Sequence, residues 1–94
     1  MNEKQMPEEM IRLRNVLNSR NVQWIDRSEK PSFSLIDLTI YRTWFIYKSR
    51  EWSVISGYGT YGGEEGLLEV MVDNDNPRGH MTARDVIEMM EEVI

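Results

Sequence analysis

The chain has 94 residues, a formal net charge of −5 at pH 7 and no cysteine. That length makes one small domain, 1–94, with a single core and no room for a separate catalytic domain, because a chain of this size buries only about 60–65% of the surface its unfolded form exposes. The missing cysteine excludes disulfides, thiolate metal sites and cysteine nucleophiles, and the acidic balance weighs against nucleic acid as the main partner, since neutralising phosphates takes a basic surface.

Met1 to Gln5 read as a frayed end, without the long apolar run of a signal peptide, and no stretch approaches the ~20 apolar residues of a membrane helix. A cytoplasmic location in a bacterial cell, with no membrane contact, is the expectation. Pro7 suits the first turn of a helix, and Glu8 and Glu9 follow near the positive end of its dipole. Met6, Met10, Leu13 and Leu17 recur on one helical face, with Arg12, Arg14 and Asn15 elsewhere around the wheel. Asn18 to Asn21, poor helix formers, mark the stop.

Val22 to Ile25 reads as a short strand and Asp26 to Ser32 as a polar loop. Phe33 to Ile40 is a strand or an irregular segment. The firmest β signal is a hairpin, Thr43–Tyr47 and Trp52–Ile55 around the polar turn Lys48–Glu51, with aromatic residues on both arms available for cross-strand pairing. Glu64 to Val72 fits a short helix or a strand about equally. Asp73 to Gly79 reads as a connector. In the last helix Thr82 and Asp85 form an Asp variant of the capping box, and Val86, Met89, Met90 and Val93 share one face. This order predicts an α+β fold: a small antiparallel sheet with the N- and C-terminal helices packed on one face.

The most informative stretch is Gly57-Tyr58-Gly59-Thr60-Tyr61-Gly62-Gly63, four glycines and two tyrosines in seven residues. It matches G-x-G-x-x-G, in which glycines let backbone N–H groups approach a phosphate. The chain is too short for the parallel sheet of a dinucleotide fold, and Glu64 and Glu65 would repel a phosphate, so two readings stand: a different anion or nucleotide pocket, or a bulged turn that lets the chain leave the sheet. In the first, Tyr58 and Tyr61 flank a base or ribose and Arg42 supplies a two-pronged cation. In the second, the tyrosines pack at the sheet edge and Arg42 pairs with an acid.

Other candidates carry less. His80 is the single histidine and cannot build a His-based metal site. Asp73 and Asp75 resemble part of a calcium loop but lack its later glycine and glutamate. No serine-nucleophile motif occurs. Glu88, Glu91 and Glu92 form the outer face of the last helix, either as a wet surface or as an acidic patch for a basic partner. No cofactor, metal or catalytic set is expected.

Taken together, Ile40-Tyr41-Arg42-Thr43, Trp52-Ser53-Val54-Ile55, the glycine run, Gly66-Leu67-Leu68-Glu69 and Met81 to Val86 resemble a group of small uncharacterised proteins of phages and prophages of gut Firmicutes. The likeness covers about the last half of the chain. Its members often carry a longer segment between the glycine run and Gly-Leu-Leu-Glu, which here is only Glu64-Glu65. The resemblance implies an accessory protein that acts by binding. The leading expectation is non-enzymatic counter-defence through capture of a small phosphorylated, nucleotide-like ligand by Arg42 and the loop Gly57, Tyr58, Gly59, Thr60, Tyr61, Gly62 and Gly63. The alternatives are an acidic inhibitor of a host defence or nucleic-acid-binding protein acting through Glu88, Glu91 and Glu92, and a phage structural or regulatory module. A homo-oligomer is expected, because a chain of this size makes only a shallow pocket alone.

Overall fold

A computed structural model of the chain describes residues 6–30, 38–57 and 59–92. The elements run α1 (Glu8–Ser19), β1 (Trp24–Asp26), β2 (Ile40–Tyr47), β3 (Arg50–Gly57), a 3₁₀ turn (Gly63–Glu65), β4 (Leu68–Val72), β5 (Arg78–Met81) and α2 (Ala83–Glu92). The strands form one antiparallel sheet in the order β1-β2-β3-β4-β5. Each strand therefore lies beside its sequence neighbour, and the two helices pack against each other on one face. This is the α+β arrangement that the order of sequence signals predicts.

The helix ends follow from local chemistry. At the end of α1, Asn21 takes a positive φ of 59°, its N–H donates to the Asn18 carbonyl, and the Val22 N–H donates to Leu17. That pair of bonds is a Schellman closure with asparagine in the left-handed position. At the start of α2 the box forms as expected: the Asp85 N–H donates to Thr82 Oγ1 at 3.1 Å, and the Thr82 N–H donates to Asp85 Oδ2 at 2.9 Å. A third cap comes from the other helix, because the Ala83 N–H donates to Glu9 Oε1 at 2.8 Å. One carboxylate thus serves the first turn of α1 and also ties down one free donor of α2.

The core lies between the helix pair and one sheet face. Met10, Leu13 and Leu17 of α1 and Val86 and Met90 of α2 are fully buried against Phe45, Trp52, Val54, Leu68 and Val70. Phe45 and Trp52 are register partners, and their rings stack at 5.8 Å, the cross-strand aromatic pair anticipated for the hairpin. The hairpin turn is tighter than the four-residue turn expected: Lys48 and Ser49 alone span it, both at positive φ, and Arg50 already belongs to β3.

Three further sequence expectations change. Residues 68–72 are strand, resolving the helix-or-strand ambiguity, and Arg78–Met81 adds a fifth strand where a connector was expected. Arg14 faces inward and is only 8% exposed. Its Nε donates to Thr43 Oγ1 at 2.7 Å, one terminal nitrogen reaches the Arg42 carbonyl at 3.1 Å and Asp26 at 3.3 Å, and its guanidinium lies 4.5 Å over Trp24. Burial of a charge is tolerable here because Nε and one terminal nitrogen are hydrogen-bonded, Asp26 stands opposite the charge and the Trp24 ring lies beneath it. Most of the segment Phe33 to Ile40, and the residues Tyr58, Val93 and Ile94, lie outside the described residues.

Candidate functional site

Strand alternation divides the sheet residues between two faces. Tyr41, Thr43 and Phe45 of β2 point to the helices, so Arg42, Trp44 and Ile46 point away; on β3 the outward set is Glu51, Ser53 and Ile55, and on β4 it includes Glu69 and Met71. Among the described residues no helix covers this second face, and pairing arranges it in rows. Arg42, Ile55 and Glu69 form one row, and Ile25, Trp44, Ser53 and Met71 form the next. Ile25 and Ile46 at its β1–β2 corner are 49% and 52% exposed.

A cavity of about 250 Å³ opens on this face, with Arg27, Arg42 and Trp44 on one side and Glu51 and Glu69 on the other. The Arg27 guanidinium lies 4.2 Å over the Trp44 ring, and Trp44 Nε1 donates to Glu51 at 3.0 Å. Arg42 Nε is buried and has no hydrogen-bond partner, and it is the one such side-chain atom among the described residues. Behind this wall, the Arg42 N–H donates to Ser28 Oγ, and Ser28 donates through both hydroxyl and backbone N–H to Asp26. Those bonds from the Ser28 hydroxyl and backbone, aided by the nearby charge of Arg14, hold the Asp26 carboxyl below its ordinary value, against a smaller opposing effect of burial.

The glycine loop closes on itself. The Gly57 N–H donates to Thr60 Oγ1, whose hydroxyl donates back to the Gly57 carbonyl, and the Thr60 N–H also donates to that carbonyl. The Gly63 N–H donates to Thr60, and the Leu67 N–H to Gly62. The Tyr61 N–H donates at 2.9 Å to Glu69 Oε1, on a side chain only 9% exposed. A carboxylate of the chain itself thus takes a loop N–H that the phosphate reading would have offered to a ligand. Gly63 is required by close approach, since a Cβ there would overlap the Gly57 carbonyl and the Thr60 hydroxyl. The helical segment that follows is a single 3₁₀ turn.

The sequence-derived site is therefore brought together in part. Gly57, Gly59, Thr60, Tyr61, Gly62 and Gly63 share one loop, and Arg42 stands on the neighbouring strand two residues in from the Ile40–Gly57 pair. Arg42 lines the cavity, whereas none of those loop residues is among its described lining. Tyr61 is 62% exposed and Tyr58 lies outside the described residues. Glu88, Glu91 and Glu92 are exposed on α2, but Arg84 bonds Glu88 at 3.1 Å and Arg20 stands 3.9 Å from Glu91, so that face is mixed in charge. His80 Nε2 lies 3.7 Å from Glu65 on the surface, and Asp73 is held by the Glu51 N–H and by Arg50. Among the described residues there is no group of three or more potential metal ligands, and no helix is long and apolar enough to cross a membrane.

Sequence reasoning missed Arg27, Trp44, Glu51 and Glu69. The period-two spacing of Arg42, Trp44 and Ile46 was the available signal. The class defined by this geometry is a two-layer α+β domain with one half-buried, charged sheet face that no described helix covers. No family model matches the chain, and neither a curated protein nor a solved structure matches it.

Proposed function

We propose that the chain is a binding module that captures a small phosphorylated, nucleotide-like ligand on the open face of its sheet, with Arg42 as the anion contact. The observation that carries this reading is the buried, unpartnered Nε of Arg42. An unmatched buried donor costs on the order of 1–3 kcal/mol, more when charged, and an oxyanion accepting from the guanidinium fork removes that cost.

The two ends of the cavity differ, which orients the ligand. Arg27 and Arg42 on the β1–β2 side favour the phosphate. Glu51 and Glu69 on the β3–β4 side accept from ribose hydroxyls or exocyclic amines and keep the phosphate away from that end. Trp44 offers an indole face to a base or sugar. With about 250 Å³, the cavity falls below the roughly 300 Å³ lower bound of common ligand pockets. It takes one moiety of a nucleotide, and the remainder lies along the face towards Ile25 and Ile46. In the phage setting implied by the sequence resemblance, capture of this kind withdraws a nucleotide-derived signal from a host defence system.

Thermal melts with a panel of linear and cyclic nucleotides test the reading. A ligand at 100 times its Kd stabilises by about 2.7 kcal/mol, which is on the order of 10 °C for a domain of this size. The Arg42→Gln chain, freed of the unmatched charged donor, should melt no lower than the wild type without ligand and show no shift with it. A wild-type chain that shows no shift with any member of the panel at millimolar concentration overturns the proposal.

A further inference from the structure

We infer that the ligand of the sheet cavity carries a guanine base, read by the carboxylate of Glu51. This deepens the ligand reading and rests on it, because it names the base at the end of the cavity away from the phosphate.

Glu51 is fixed from several sides. Its backbone N–H donates to Asp73 Oδ1 at 2.8 Å, and its carbonyl accepts from the Asp73 N–H at 2.7 Å. Its Oε1 accepts from Trp44 Nε1 at 3.0 Å, and one face of that indole is covered by the Arg27 guanidinium. Among the described residues no hydrogen bond takes Oε2, and the side chain lines the cavity. The carboxylate is thus oriented before a ligand arrives and keeps acceptor sites on both oxygens. Register places it well away from the phosphate contact. Arg42 pairs with Ile55 and Glu51 with Ile46, so four residues along the strands and one strand step separate the two, about 14 Å between backbones. Trp44 and Ser53 are partners in the row between them. A nucleotide carries its phosphate and its base on opposite sides of the ribose, so a phosphate at Arg42 directs the base towards Glu51. Ile46, the register partner of Glu51 and 52% exposed, gives the ring an apolar surface to lie on.

An ionised carboxylate only accepts, and that selects the base. Guanine presents two adjacent donors, N1–H and the N2 amine, which match the two oxygens of one carboxylate in charge-assisted hydrogen bonds. Adenine sets the N1 lone pair beside its amine, and cytosine sets the N3 lone pair beside its own, so each turns an acceptor on Glu51. Uracil offers a single N3–H flanked by two carbonyls. The remaining polar group of the guanine edge, O6, calls for a donor next to N1–H. The Asn74 amide and the Ser53 hydroxyl both line the cavity and are of that kind. Asn74 directly follows Asp73, the residue that clamps the Glu51 backbone. Glu69, largely buried and bonded to the Tyr61 N–H, has no part in reading the base.

Isothermal titration calorimetry of the full chain with GMP, IMP and AMP, and with their cyclic counterparts, tests the assignment. Within each phosphate form, the guanine nucleotide should bind at least about tenfold more tightly than the hypoxanthine one, which lacks only the N2 amine. The adenine nucleotide, which turns a lone pair on the carboxylate, should bind about a hundredfold more weakly than the guanine one. Glu51→Gln keeps one oxygen for Trp44 Nε1 and puts an amide donor in place of the other. It should weaken the guanine nucleotide by about tenfold or more and leave the adenine one no weaker than before, because Gln pairs with adenine through both a donor and an acceptor. Circular dichroism melts check that this variant folds; if it does not, the wild-type series decides. A wild type that binds adenine nucleotides as tightly as guanine ones, or a guanine preference that survives Glu51→Gln, overturns the inference and leaves the ligand reading standing. If none of the nucleotides binds at millimolar concentration, the ligand reading and this inference both fall.

Discussion

If the glycine loop is held by Glu69, removing that carboxylate should loosen it. In the Glu69→Ala chain the Tyr61 N–H loses an acceptor at 2.9 Å, on a side chain that is 9% exposed. Hydrogen bonds to charged groups contribute about 1.5–3 kcal/mol, so the expected loss is about 2 kcal/mol, or on the order of 10 °C in Tm for a domain of this size. Glu69→Gln keeps a carbonyl oxygen within reach of the same N–H and should cost less than half as much. Urea denaturation followed by circular dichroism separates the effects, because a change in midpoint at constant slope reports stability alone. Glu69→Ala within about 0.5 kcal/mol of wild type, the usual spread of neutral surface changes, would refute the reasoning, as would a Gln variant as damaged as the Ala variant. Inorganic phosphate gives a second check. The check is made in the Arg42→Gln chain, so that the sheet face does not contribute: were the loop a phosphate cradle, phosphate would stabilise that chain; with Glu69 in place it should not, and any protection should emerge when Glu69→Ala is added.

Two further outcomes follow from the same geometry. Gly63→Ala should cost at least about 3 kcal/mol, because its Cβ meets the Gly57 carbonyl and the Thr60 hydroxyl, whereas Gly59→Ala, with open space around it and a φ of +78°, should cost only the roughly 1–2 kcal/mol of a left-handed backbone; equal losses in parallel melts would contradict the close-packed reading of the loop. Asp26, whose pKa is lowered in the folded chain by the Ser28 hydrogen bonds and the charge of Arg14, contributes stability that is fully present above its unfolded pKa and declines as pH falls through the folded one. Because the group is half exposed, the screened effect should stay below about 1 kcal/mol, and the stability gap between wild type and Asp26→Asn should close on acidification; a gap that is constant from neutral to acid pH would rule this out.

What could be read from the sequence was local. The stop of α1 at the asparagine cluster, the Thr82–Asp85 box and the aromatic hairpin are each written within a few residues, and each appears in the fold. What could not be read depends on partners far along the chain. Arg14 looks like a solvent-facing residue on a helical wheel because Thr43 and Asp26, which make its burial tolerable, lie 29 and 12 residues away. Residues 68–72 become strand through pairing with β3, whose register no local pattern reports. Residues 78–81, carrying a glycine and a histidine and following Pro77, have little intrinsic strand preference, and β5 forms because the edge of β4 needs a partner. For the site, the alternation of Arg42, Trp44 and Ile46 was visible, but the face they occupy is defined only once both helices are known to cover the other.

The glycine pattern and the open face turn out to be parts of one arrangement. A G-x-G-x-x-G run lets backbone donors converge, and convergent donors select an anion. In this chain the Gly57, Thr60 and Gly63 N–H groups turn to oxygens of the loop itself, and the Tyr61 N–H goes to Glu69, eight residues beyond it and on the next strand of the same sheet. That choice has a consequence outside the loop. Drawn to Tyr61, the Glu69 carboxylate is held at the β4 side of the open face, in the same row as Arg42 but with Ile55 between them. Positioned so, it leaves the Arg42 fork unneutralised. The proposed capture of a ligand at Arg42 therefore rests on the glycine loop indirectly, through the carboxylate that the loop detains. Loosening the loop should then change binding at the open face even though none of the described loop residues lines the cavity there.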